Sequence, residues 1–141
     1  MTLKNTDNEY RITVSNRQTI DSETDTIEET AYGNYTEKNG KQYITYKTEN
    51  DGDKISSMIK IDGNEILIKR TGSVNSSMTY KVDTKKEFLY HLPSGTVPME
   101  IETQRIVSKL DENGGTIELV YTLTVQDEKY FNDMKITVSK R

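Results

Sequence analysis

One arginine stands where an aliphatic residue would be expected. Arg70 follows Ile66 and Ile68 at every second position, so on a strand its side chain shares their face. If that face is interior, the guanidinium must be paired, because an isolated buried charge is very costly. Its planar fork matches a carboxylate or a phosphate and can grip either in bidentate fashion. The chemistry on offer is the anchoring of an anionic ligand. The structural reading beside it is an internal pair with Glu or Asp, or contacts to carbonyls at a barrel mouth. Arg105 keeps a similar spacing from Met99 and Ile101, but Ile106 and Val107 are adjacent, and a β-bulge there would redirect it. Tyr46, Tyr80, Tyr90 and Tyr121 fall on the apolar phase of their own runs. They can offer hydroxyls to a ligand, or fill a core with each hydroxyl bonded to backbone or water.

Other chemistry finds little support. His91 is the single histidine and there is no cysteine, so a His/Cys metal cluster and thiolate catalysis are excluded. His91 is out of phase with Phe88 and belongs on an outer face. No Gly-x-Ser-x-Gly elbow, phosphate-binding loop or dinucleotide fingerprint is present. The acidic turn Asn50-Asp51-Gly52-Asp53 lacks the longer ligand spacing of a calcium loop. No catalytic residue, metal ligand or cofactor is assigned.

The elements that carry these residues read as strands. From Gly114 onward, Ile117, Leu119, Tyr121, Leu123 and Val125 alternate with polar residues, and Met134, Ile136 and Val138 repeat the pattern after a polar link, Gln126 to Asp133. Period two with one apolar face means a half-buried strand. Similar runs are centred on Ile12, Ile27–Tyr35, Lys41–Glu49, Ile55–Ile61, Ile66–Arg70, Met78–Val82, Phe88–Leu92 and Val97–Thr103. Turn signals separate them, among them Asn39-Gly40, Asp51-Gly52 and Asp62-Gly63. Short links between successive strands make an antiparallel meander. So many strands in one open sheet would leave costly edges, which closure removes. The fold expected is all-β, an antiparallel up-and-down closed barrel of about 8–10 strands forming one domain over residues 1–141. A two-sheet sandwich is the alternative, but its crossings need longer connections.

Charge and composition narrow the partners. A net charge of −4 argues against binding a phosphate backbone, so nucleic acid is not expected. No run is long enough for a membrane-spanning helix, and Met1–Thr6 lacks the apolar core of a signal peptide. With no cysteine, a cytoplasmic setting is expected. From Gln18 to Thr36 there is no Lys or Arg, while Asp21, Glu23, Asp25, Glu28 and Glu29 are acidic. Such a run is usually a solvated loop and strand face, but it could be a docking surface. Leu67, Leu89 and Val120 fall on outer faces and could serve a homodimer or be scattered singles.

Several strings resemble a family of small bacterial proteins of unknown function, the DUF1934 or YwiB-like family. They are Tyr43-Ile44-Thr45-Tyr46, Arg70-x-Gly72 with Met78-x-Tyr80, Tyr90-x-x-Pro93-x-Gly95 with Met99-x-Ile101-x-Thr103, and Gly115-x-Ile117-x-Leu119-x-Tyr121-x-Leu123. Leu92 and Ser94 depart from the family's usual Thr and Tyr. The resemblance covers most of the chain from Tyr43 onward. It implies a calycin-like (lipocalin-like) barrel and brings no established activity. Together with Arg70 and the tyrosines, it makes a barrel binding a small apolar or anionic ligand the first functional expectation. A non-enzymatic interaction or regulatory module acting through its outer surface is the second.

Overall fold

The computed structural model describes residues 9–141; the reading of Met1–Thr6 lies outside them. Ten strands follow one another: β1 (Tyr10–Ile20), β2 (Glu23–Lys38), β3 (Lys41–Asn50), β4 (Asp53–Asp62), β5 (Glu65–Gly72), β6 (Ser76–Lys81), β7 (Lys85–Leu92), β8 (Gly95–Asp111), β9 (Gly114–Val125) and β10 (Glu128–Lys140). They form one sheet in the order β6-β5-β4-β3-β2-β1-β10-β9-β8-β7, antiparallel throughout. Tight turns make the meander. Asn39 (φ 55°) and Gly40 (φ 77°), Asp51 (φ 53°) and Gly52 (φ 84°), and Gln126 (φ 51°) and Asp127 (φ 68°) each place two positive-φ residues between paired strands. That is the backbone a two-residue type I′ hairpin requires, and its twist matches the strands it joins.

The sheet curls into a nearly closed barrel. Its first and last strands in sequence, β1 and β10, pair from Tyr10↔Lys140 to Thr19↔Phe131. The remaining seam lies between β6 and the β7–β8 pair. It is bridged at Asn75↔His91 and Val82↔Thr103, with the Asp83 N–H donating to the Thr103 carbonyl at 3.0 Å.

The interior is layered along the barrel axis, as the register of β3 to β6 shows. One cross-strand row reads Gln42–Ile61–Ile66–Tyr80, the next Ile44–Ile59–Ile68–Met78, and the third Tyr46–Ser57–Arg70–Ser76. Ile44, Ile59, Ile66, Ile68, Ile117 and Ile136 are fully buried and form the apolar middle. At the Gln42 end the polar groups are satisfied. The Tyr10 hydroxyl donates to the Glu112 carbonyl at 2.7 Å, and the Gln42 amide donates to the Tyr35 hydroxyl at 2.9 Å and the Leu110 carbonyl at 2.6 Å.

Two segments differ from the sequence reading. The polar link Gln126–Asp133 is mostly strand, because the turn needs only Gln126 and Asp127, and β10 starts at Glu128. The alternation was hidden by Asn132, a polar residue that is nevertheless buried. The acidic stretch, expected to be part loop, is β2 from Glu23 onward, paired to β1 along its whole upper half.

Gly33 sets the shape of β2. It pairs with Tyr10 on one side and Tyr46 on the other. A Cβ built there would lie 2.0 Å from the Thr45 carbonyl oxygen and 2.9 Å from Ile12 Cδ1. Only glycine lets the two backbones approach this closely. Gly33→Ala is expected to lower stability by about 2 kcal/mol or more, since an overpacked wall must shift backbone; urea unfolding checks it.

Candidate functional site

The end of the barrel opposite Gln42 is lined by polar side chains on the inward phase of nearly every strand. On one wall, Tyr46, Ser57, Arg70 and Ser76 stand side by side on β3, β4, β5 and β6. Each occupies a position where period two predicts a core residue: Ser57 lies between Ile55 and Ile59, and Ser76 precedes Met78. The Asn75↔His91 bridge, extended by one residue, sets Tyr90 opposite Ser76 across the seam. On the other wall, the row Thr103–Tyr121–Asn132–Gln18 runs across β8, β9, β10 and β1.

The two walls meet through aromatic rings. Tyr80 and Tyr121 contact edge to face, with centroids 4.8 Å apart. The Tyr80 hydroxyl donates to Met78 Sδ at 3.3 Å. Burial pushes the Tyr80 hydroxyl well above its ordinary pKa, and Tyr121 beside it adds to the effect while Arg70 opposes it. Burial also raises Tyr121, against the pull of Tyr80 and Arg70. Tyr46 is raised by burial first and by Glu29 in addition; Arg70 and Ser57 act in the opposite direction. At neutral pH all three hydroxyls therefore keep their protons and can donate.

Many of these groups lack partners. The Tyr46 hydroxyl, Ser57 Oγ, Ser76 Oγ and Thr103 Oγ1 are buried and none makes a hydrogen bond of good geometry, although Ser57 and Arg70 stand near enough to the Tyr46 hydroxyl to favour its ionised form. Among the described residues, no carboxylate forms an ion pair with the half-buried Arg70; the ion pairs there, such as Lys41–Asp62 and Lys85–Glu102, are on the surface. Buried hydroxyls without partners are uncommon, since each forfeits its hydration. Three of them, Tyr46, Ser57 and Ser76, share one cross-strand row with the Arg70 guanidinium and form a donor-rich patch. Asn132 shows the contrast: its Oδ1 accepts from Asn16 Nδ2 at 3.0 Å and Gln18 Nε2 at 2.9 Å, and its Nδ2 donates to the Tyr130 carbonyl.

The structure thus brings together Arg70, Tyr46, Tyr80 and Tyr121, and places Tyr90 half-buried at the seam. Arg105 is not among them. The register of β8 slips between Thr103 and Arg105, which turns Ile106 inward and Arg105 outward, where its guanidinium lies 4.0 Å from Glu118. His91 is exposed and lies 3.3 Å from the Thr96 hydroxyl. The sequence reading missed Ser57, Ser76, Asn16 and Asn132; their phase was the available signal, and their polarity masked it. Thr103 was placed on the inward face with Met99 and Ile101 but not offered as a site residue.

The raised tyrosines carry a pH dependence. In the unfolded chain they ionise near about pH 10. The folded values are higher, so the stability gained by keeping them neutral is complete below about pH 10 and is lost as the pH rises toward the folded values. Stability should therefore fall steeply above about pH 10, and Tyr80→Phe should flatten that fall, measured by urea unfolding on either side of it.

The fold has known counterparts. A family model described as a domain of unknown function, DUF1934, matches residues 12–138. The "Uncharacterized beta-barrel protein YwiB" of Bacillus subtilis (strain 168) is 30% identical over 118 residues, 83% of this chain and 83% of that protein. The crystal structure of the ywiB protein from Bacillus subtilis superposes with a TM-score of 0.87 at 26% identity, covering 94% of this chain and 91% of that one. The family match spans almost the whole barrel, from β1 to β10, and on that ground the chain belongs to the DUF1934 family.

Proposed function

We propose that the barrel binds a small molecule bearing an oxyanion, a carboxylate or a phosphate, at its polar end. Arg70 is the anchor, and Tyr46, Ser57 and Ser76 supply hydroxyl donors. The observation that carries this reading is the cross-strand row of buried, unpartnered hydroxyls on either side of Arg70. An oxyanion has lone pairs for several donors at once and balances the guanidinium charge. The fully buried isoleucine rows beneath close the site with an apolar floor. That division, a polar head site over an apolar floor, suits a calycin-like carrier and requires no catalytic group. A cytoplasmic setting is part of the reading, supported by the absence of cysteine.

The test separates stability from binding. With no ligand, Ser57→Ala and Ser76→Ala each remove a buried hydroxyl that has no partner. Each is expected to raise stability by about 1 kcal/mol. The same changes should weaken binding of the probes, octanoate and inorganic phosphate, followed by calorimetry. Arg70→Met should abolish binding of both. Retention of probe binding in Arg70→Met, or a loss of stability in both serine variants, would remove the basis of the proposal.

A further inference from the structure

The upper half of β2 offers a second kind of site. The β2–β3 ladder runs only from Gly33↔Tyr46 to Lys38↔Lys41, whereas β1 pairs with β2 all the way to Ile20↔Glu23. Beyond Gly33 the two strands part. Among the described residues, nothing pairs with the second edge of Glu23–Tyr32. The facing edge of β3 from Lys47 to Asn50 is also unpaired, since those residues pair only with β4. Between the strands lies an open cleft of about 1220 Å³, lined by Ile27, Glu28, Glu29, Lys47, Thr48 and Ile55 among others, and reaching Tyr46 and Ser57 of the oxyanion site but not Arg70.

An open edge of this length is a template for another strand. Natural edges are commonly blunted by lysine, proline or a bulge. This one has no Lys or Pro from Glu23 to Tyr32, and its ladder with β1 is unbroken. It is instead acidic on both faces: Glu23, Asp25 and Glu29 on the inward phase, and Glu28 on the outward phase. Ile27 is 65% exposed between them, an apolar foothold flanked by carboxylates. A second copy of the chain is a poor occupant, because antiparallel pairing of β2 with itself would set acids against acids. The same acids favour a strand rich in Lys or Arg.

We infer that the free edge of Glu23–Tyr32 docks an extended, basic segment of a partner protein by strand addition. Backbone hydrogen bonds supply the pairing, the carboxylates select for basic side chains, and Ile27 takes an apolar residue of the incoming strand. The acids also hold off self-pairing, so one feature serves attraction and exclusion together.

The experiment uses the full chain and two labelled ten-residue peptides. One alternates Lys with Val and Thr; the other has Glu in place of Lys. Binding is read by fluorescence anisotropy and located by amide hydrogen exchange. The basic peptide should bind more weakly as salt rises and should slow exchange on alternate amides of Glu23–Tyr32. Asp25→Lys with Glu28→Lys, both exposed positions, should weaken it roughly tenfold at low salt while leaving circular dichroism unchanged. Arg70→Met should leave peptide binding intact, which keeps this site distinct from the oxyanion site. Equal binding of the acidic peptide, unaltered exchange on β2 at saturation, or slowed exchange there on raising the protein concentration alone would each overturn the inference.

Discussion

Everything in this barrel depends on the ladder between its first and last strands. A ten-stranded meander has its two edges at β1 and β10 unless those strands find each other. Here they pair over nearly their whole length, from Tyr10↔Lys140 to Thr19↔Phe131. That pairing turns two arms, β1 to β6 and β7 to β10, into one curved wall. It also fixes phase. A slip of one residue would send Ile12, Val14, Ile136 and Val138 to the outside together. The ladder closes a loop as long as the chain itself, so its entropic cost falls due before most of its contacts form, as in other folds dominated by non-local pairing.

Within that wall, the two ends of the interior are built on opposite terms. At the Gln42 end, hydroxyl and amide find carbonyls or each other, and the Tyr10 and Tyr35 rings meet at a tilt with centroids 5.9 Å apart. That end is a plug. At the Arg70 end, donors accumulate without acceptors. A sheet that spends inward positions on serine gives up the burial of an aliphatic side chain at each one. Ser57 and Ser76 flank Arg70 directly, so the loss is concentrated around the one guanidinium of the interior rows. The asymmetry sets the candidate site apart more clearly than any single residue does.

Much of this was legible in the sequence, and the failures have physical causes. Arg70 announced itself because Ile66 and Ile68 set its phase. Tyr46, Tyr80 and Tyr121 were legible for the same reason. Thr103 was legible as inward through Met99 and Ile101. Ser57, Ser76 and Asn132 were not, because period-two reading infers an inward face from apolarity and these residues are inward and polar. Each does lie two residues from an apolar neighbour in its strand, Ile59, Met78 and Met134, so phase alone held the information. Arg105 was lost to the register shift after Thr103, which no local pattern fixes to a single residue. The length of β2 was obscured by its acids, which resemble a loop in composition while pairing as a strand.

The seam between β6 and β7–β8 bears on how the wall can deform. Elsewhere neighbouring strands share ladders of six to twelve matched pairs, whereas the seam is held by isolated bridges at Asn75↔His91 and Val82↔Thr103. Few backbone bonds must break for it to part. The circumference of the barrel is therefore its softest coordinate, and its height its stiffest. Ser76 and Tyr90 sit beside that seam at the polar end, so a small hoopwise widening there changes the bore between them.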